Sequence, residues 1–267
     1  MTHAMQALAA WPAAARAGIV GVLTDIDDTL TTEGAITPDA LAALGALAAA
    51  GLHVIPITGR PVGWSEPFAL RWPVDAIVAE NGAVALVRDP RGGLRKLYQQ
   101  DAAERERNFA RMQEVLRCIE REVPGAARSR DSAGRETDIA IDHSEFTHLP
   151  QAAIDRVVAQ MRAEGMTATV SSIHVNGWYG RHDKLEGARW IVRELLGRPL
   201  DEELRRWVYV GDSTNDVLMF RHFPHSVGVA NIRRFEAQLA HKPAYVTEGE
   251  RGAGFAELAR ALLDART

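Results

Sequence analysis

With 267 residues, 46% of them hydrophobic and 25% charged, the chain has enough apolar surface for a large core or for a core with a smaller partner domain, which excludes disorder on a large scale. A formal net charge of −4 without a long run of Lys or Arg gives no footprint for a nucleic-acid backbone, and no apolar stretch approaches the roughly 20 residues needed to cross a bilayer, which excludes a membrane-spanning transporter. The single cysteine, Cys118, cannot form an internal disulfide, and the Ala-rich opening from Met1 to Val20 lacks a basic start and is interrupted by Gln6, Trp11 and Pro12, so a cytoplasmic setting is expected.

The first strong strand is expected from about Gly18 to Ile26, where Ile19, Val20, Val22 and Leu23 form the continuous apolar run of a strand buried on both faces. It ends in a cluster of carboxylates. A helix follows, with Thr37 as N-cap, Pro38 at its first position, Leu41, Leu44 and Leu47 on one face and Gly51 as its stop. Val54 to Thr58 reads as a second short strand, although Pro56 suits a central strand poorly. Ala76 to Ala79 reads as a third, before Glu80-Asn81-Gly82.

From about Val84 to Trp178 the pattern changes to hairpins and longer amphipathic helices. Val84 to Val87 and Leu94 to Tyr98 are expected to pair across the Pro90 to Gly93 turn. Phe109, Met112, Leu116, Ile119 and Val123 share one face of a helix over Ala103 to Val123. Asp138 to Asp142 alternates apolar and acidic residues, as a half-exposed strand does. Pro150 opens a helix through Ile154, Val157, Val158 and Met161, closed by Gly165, and two more strands follow at Thr167 to Ser171 and His174 to Tyr179.

From Lys184 the parallel style resumes, with a helix carrying Leu185, Ala188, Ile191, Val192 and Leu195, the strand Trp207 to Val210, and shorter strands at Ser226 to Val229 and Ala244 to Thr247. The expected fold is therefore α/β: a doubly wound parallel sheet over 1–83 and 181–267, split by an α+β insert over 84–180.

In open parallel sheets the site forms at the carboxyl ends of the strands. The polar residues there are Asp25 with Asp27, Thr58, and Asp212 with Asp216. Such a cluster of carboxylates repels itself unless a cation sits in it, and magnesium suits a site with few carboxylates that leaves room for water and phosphate oxygens. The nine histidines have no zinc-type spacing, and His143 and His148 read as loop or surface residues.

Asp25-Ile26-Asp27-Asp28-Thr29-Leu30 resembles the opening signature of the haloacid dehalogenase-like superfamily, Asp-x-Asp-x-Thr after an apolar strand. Thr58-Gly59-Arg60 resembles its second motif, Lys184 its third, and Gly211-Asp212-Ser213-Thr214-Asn215-Asp216 its fourth. The insert between the second and third motifs resembles the type IIB cap of the sucrose-phosphatase, mannosyl-3-phosphoglycerate phosphatase and Cof-like proteins. The resemblance implies a Mg2+-dependent phosphatase acting on a small phosphorylated metabolite, in particular a sugar phosphate. It implies Asp25 as a nucleophile that forms an aspartyl-phosphate, and Asp27 as general acid and then base. Thr58, Gly59 and Lys184 then hold the phosphoryl oxygens. Asp25, the carbonyl of Asp27 and Asp212 become metal ligands, with Asn215 and Asp216 as further ligands or as orienters of Lys184.

Arg60, Asn81, Trp178, Arg181 and His182 flank this site or the return from the insert and are candidates for substrate contact. Many phosphatases with this cap carry Gly where Asp28 stands, which leaves substrate class open. Two other functions compete: a phosphomutase on the same scaffold, and a phosphorylation-switched binding module of the receiver type. The latter is opposed by length and by the placement of Asp25 and Asp27 on one strand end. Oligomeric state is not legible.

Overall fold

The structure, a computed structural model, describes residues 4–266, so the two extreme ends of the expected core lie outside the described residues. The apolar run after Gly18 forms the strand Gly21–Thr24, buried along its whole length. It lies in a six-stranded parallel sheet whose order is Gln6–Ala7, Tyr245–Val246, Ser226–Gly228, Trp207–Gly211, Gly21–Thr24 and His53–Pro56. Pro56 closes a strand at the end of that order, where a missing N–H is tolerated.

Successive side chains of these strands point to opposite faces. Val22, Val54, Val208 and Val210 pack in one cluster with Leu44, Leu47, Phe255, Leu258 and Leu262 of the helices Pro38–Ala49 and Arg251–Asp264. Leu23, Ile55, Trp207 and Tyr209 pack in a second with Leu185, Ile191, Met219 and Phe220 of the helices Lys184–Leu196 and Val217–His222. Each fully buried aliphatic side chain contributes roughly 1.5–3 kcal/mol, so these two layers fix the sheet and the positions of its strand ends. Leu41, expected on the buried face of its helix, is exposed, and Ala40 and Ala43 take that face instead.

Ala76–Ala79, Val84–Arg88 and Leu94–Tyr98 form a three-stranded antiparallel sheet. It joins the parallel sheet through the Ile57–Val78 bridge and a 2.8 Å bond from the Thr58 N–H to the Val78 carbonyl. Val84 and Leu86 belong to one core cluster and Ala85 to the other. Val84 to Leu86 are thus packed by both core clusters, Leu94–Tyr98 stays partly exposed, and the insert's own apolar cluster runs from Met112 to Tyr179.

The insert is a four-stranded antiparallel sheet in the order Thr167–Val170, His174–Trp178, Ile139–Asp142 and Ala127–Arg128. The helices Ala102–Glu122 and Gln151–Ala163 cover one face with Met112, Leu116, Ile119, Val157 and Met161. The strand over Ile139–Asp142, expected to be half exposed, is buried throughout because its acidic face lies against the core. Among the described residues no helix is long and apolar enough to cross a membrane.

Candidate active site

Parallel pairing sets Thr24 beside both Pro56 and Val210, so the residues that follow these strands emerge at one end of the sheet. Asp25 and Asp212 are brought together there. Lys184 reaches them from the first position of its helix, where the Asp183 side chain accepts the Glu186 N–H. The Glu80–Gly82 turn packs directly on that helix start. Gly82 has φ +108°, and a Cβ there would lie 2.1 Å from the Asp183 carbonyl oxygen, so only glycine allows this approach.

Lys184 Nζ donates to Asp25 Oδ1 at 2.6 Å and to Asp216 Oδ1 at 2.7 Å, with all three groups buried. Burial disfavours the ammonium, but Asp216 and Asp25 outweigh it and hold the Lys184 pKa above its ordinary value. Asp216 also accepts the Tyr209 hydroxyl at 2.5 Å, and its Oδ2 accepts the backbone N–H groups of Asp212 and Ser213 at 3.0 and 3.2 Å. Both oxygens are thus filled by protein donors. Gly211 makes room for this carboxylate, since a Cβ there would fall 2.4 Å from Asp216 Oδ2.

Asp212 differs. Its Oδ2 accepts Asn231 Nδ2 at 3.1 Å, while its Oδ1 is buried without any partner. Burial, then the charges of Asp25 and Asp216, push its pKa well up. Asp25 is pushed up to about 7, by burial first, with Lys184 opposing. An orphaned buried carboxylate oxygen normally costs roughly 1–3 kcal/mol or more, and oxygens of Asp25, Asp212 and Asp216 lie within 4.8 Å of one another. This donor set, all hard oxygens, fits a divalent cation such as Mg2+. Asp25 and Asp212 have oxygen capacity to offer it; Asp216, being saturated, is suited to orienting Lys184. Asn215 accepts the Ser213 hydroxyl at 2.8 Å and lines the small cavity in front of Asp25.

Thr58 is fully buried, and its hydroxyl oxygen accepts the Arg60 N–H at 3.0 Å. The Arg60 side chain crosses to Asp27, with Nε 2.9 and 3.0 Å from the two carboxylate oxygens. Burial raises the Asp27 pKa above its ordinary value and Arg60 pulls against it, a net direction that suits an acid. Asp28 occupies the left-handed region with φ +55°, where glycine is at ease, and pairs with Arg251 at 3.0 Å. Gly59 lines the cavity beside Asp25, together with Ser171, Ser172, Ile173, His174 and Asn176 of the insert.

A family model described as haloacid dehalogenase-like hydrolase matches residues 22–109, which include Asp25 to Thr29 and Thr58 to Arg60. Over residues 22–109 the chain is thus similar to the haloacid dehalogenase-like hydrolases, and solved structures share its fold over nearly the whole length. A Thermoplasma acidophilum protein superposes with a TM-score of 0.69 at 17% identity, over 92% of this chain and 98% of that one. The C-terminal domain of the Candida albicans trehalose-6-phosphate phosphatase gives 0.70 at 14%, over 98% and 99%. The sucrose-phosphatase of Synechocystis sp. PCC6803, solved with sucrose and phosphate, gives 0.64 at 14%, over 91% and 97%. No curated protein sequence matches.

Four expected substrate contacts do not line the cavity in front of Asp25. Trp178 is 1% exposed and donates its Nε1 to the His182 carbonyl inside the insert's apolar cluster. Asn81 is buried between core and insert, donating to Asp138 Oδ2 at 3.3 Å. Arg181 lies exposed on the connection back to the core, and His182 is buried there, its pKa lowered to about 4 by burial. Trp178, Arg181 and His182 shortly precede Lys184 in sequence and Asn81 follows the third strand, but the chain's path carries them along the junction rather than into the cavity. Conversely, Glu145, Asp131, His174, Tyr209, Asn231 and Arg251 were not anticipated, because each is an isolated residue whose proximity depends on the fold. Tyr209 carried the faint signal of a hydroxyl in an otherwise apolar strand.

Proposed function

We propose that this haloacid dehalogenase-like hydrolase is a Mg2+-dependent phosphatase that hydrolyses a small phosphomonoester, in particular a sugar phosphate, in the cytoplasm. The observation that carries the reading is Asp25 at the strand end, facing a cavity, held by Lys184 at 2.6 Å and set beside the unpartnered oxygen of Asp212. Two structural relatives, a sucrose-phosphatase and a trehalose-6-phosphate phosphatase, support the substrate class.

Asp25 and Asp212 are the residues suited to hold magnesium, which would neutralise the phosphoryl group and the clustered carboxylates. The Asp25 carboxylate attacks phosphorus. Asp27 donates its proton to the departing oxygen, giving an alcohol and an aspartyl-phosphate. Asp27, now ionised, takes a proton from water, whose oxygen attacks the same phosphorus and releases phosphate and free Asp25. Lys184 holds the nucleophile and the phosphoryl oxygens together, and the Thr58 hydroxyl offers them a donor. The insert walls the cavity with residues 171–176 and excludes bulk water from the acyl phosphate.

The test is phosphate release from a panel of sugar phosphates and from an aryl phosphate, with and without Mg2+. Asp25→Asn is expected to lower turnover by at least about 10³-fold, in the range seen for removal of nucleophiles. A folded wild-type protein that releases no phosphate under any of these conditions would overturn the reading.

A further inference from the structure

A groove of ≈ 360 Å³ opens beside Asp27 between the core and the insert, where the leaving group of a substrate bound at Asp25 must lie. Its walls are the Asp28–Gly34 segment, the insert residues Ser144, Glu145, Phe146 and Ile173, and the two arginines Arg60 and Arg251. Four carboxylates, Asp27, Asp28, Glu33 and Glu145, face it against those two guanidinium groups.

Neither arginine has charge to spare. Arg60 donates to Asp27, to Glu145 at 2.7 and 3.3 Å and to Asp131 at 3.2 Å, so three carboxylates share one guanidinium. Arg251 is matched by Asp28. His174 stands 2.9 Å from Glu145 Oε2 and is likewise committed. Arg130 stacks on the Phe146 ring at 3.9 Å and does not line the groove. Glu145 stays ionised at neutral pH: burial raises its pKa, but His174 and Arg60 outweigh this and hold it at about 2.

What the groove offers instead is carboxylate acceptors, the Ser144 hydroxyl oxygen, whose own proton goes to the Ser172 carbonyl, and an apolar floor of Ile173 and the 55% exposed Phe146. Hydroxyl groups donate to such acceptors, and the C–H faces of a sugar ring pack on an exposed aromatic ring. A second anionic group would meet four carboxylates, with both guanidinium groups that line the groove already paired.

We propose that the leaving group this site accepts is an uncharged polyhydroxyl group, and that Glu145, by saturating Arg60 and facing the groove, is the residue that rejects substrates bearing a second anion. The proposal rests on the phosphatase reading above and narrows it to one side of the sugar-phosphate class.

The experiment measures kcat/KM for matched pairs that differ in one anionic group: glycerol phosphate against phosphoglycerate, which adds a carboxylate, and glucose phosphate against glucose bisphosphate, which adds a second phosphate. The uncharged member is expected to be favoured at least about tenfold, the effect of one unit charge at groove distances. Glu145→Gln is expected to shrink that preference about tenfold or reverse it. Glu33→Gln, a change on an exposed rim residue that breaks no buried pair, shifts it the same way by less and guards against misfolding of the first variant. Hydrolysis that is equal or faster on the charged members in the wild type, or a preference untouched by both substitutions, overturns this inference and leaves the phosphatase reading standing. No release from any of these compounds or from an aryl phosphate overturns both.

Discussion

Two clusters of buried acids lie close together in this molecule, and they are built on opposite principles. At the junction of core and insert, Glu80 accepts the backbone N–H groups of Val62, Glu136 and Thr137 and the Thr137 hydroxyl. Asp138 accepts Arg135 at 2.7 Å and the amides of Asn81 and Asn176 at 3.3 and 3.1 Å. Every carboxylate oxygen there has a protein donor. At the strand ends, Asp25, Asp212 and Asp216 share one ammonium, and Asp212 Oδ1 has no donor at all. Burial alone thus does not mark function. A satisfied carboxylate ties two parts of the chain together, and an unsatisfied one waits for a ligand.

The largest effect that tests this contrast is expected at the junction. Arg135→Met leaves Asp138 and Glu80 buried without their cation and should cost about 3–5 kcal/mol of stability, read by denaturant unfolding. A loss below about 1 kcal/mol would mean that the junction is not the structural clasp described. At the strand ends the order reverses. Asp212→Asn should lower phosphate release by roughly 10²–10³-fold, the scale of losing one preorganised electrostatic group, while stability without metal is retained, because one of three mutually repelling carboxylates is gone.

Metal and pH separate the clusters further. At a hundred times its dissociation constant, Mg2+ should stabilise the wild type by about 2.7 kcal/mol, a response that Asp212→Asn loses and Asp138→Asn keeps in thermal unfolding. Burial pushes the carboxyls of Asp25 and Asp138 up to about 7 in the folded chain, against about 3.9 when unfolded. Between those values the folded state binds more protons, so the stability due to protonation is full below about pH 4 and is lost as pH rises through about 7. Metal-free stability should fall across that window, and Mg2+ should remove the share of Asp25 and Asp212 while leaving that of Asp138. A profile that Mg2+ leaves unchanged would contradict the placement of Asp25 at the metal.

The smallest effect concerns Asp28. Its left-handed backbone makes Asp28→Gly tolerable, and the lost pairing with Arg251 offsets the relief of strain, so the net change should stay within about 1 kcal/mol with activity kept. An inactive but folded Asp28→Gly protein would assign that carboxylate a role in the reaction itself.

Local pattern sufficed for the parallel core, because continuous apolar runs such as Val22-Leu23 and Val54-Ile55 require burial on both faces, and because Asp25, Thr58 and Asp212 each follow such a run while Lys184 opens a helix. The chain also revealed the change of pattern that makes the insert a separate sheet, while the packing of Val84 to Leu86 on both core clusters is a matter of tertiary contact. Only the folded chain decided that Asp216 is saturated and Asp212 is not, that Trp178 and Asn81 turn away from the cavity, and that Glu145, 85 positions from Arg60, closes on its guanidinium. Those outcomes depend on which donors meet which acceptors across distant segments, a matter of register and domain placement that no stretch of sequence carries by itself.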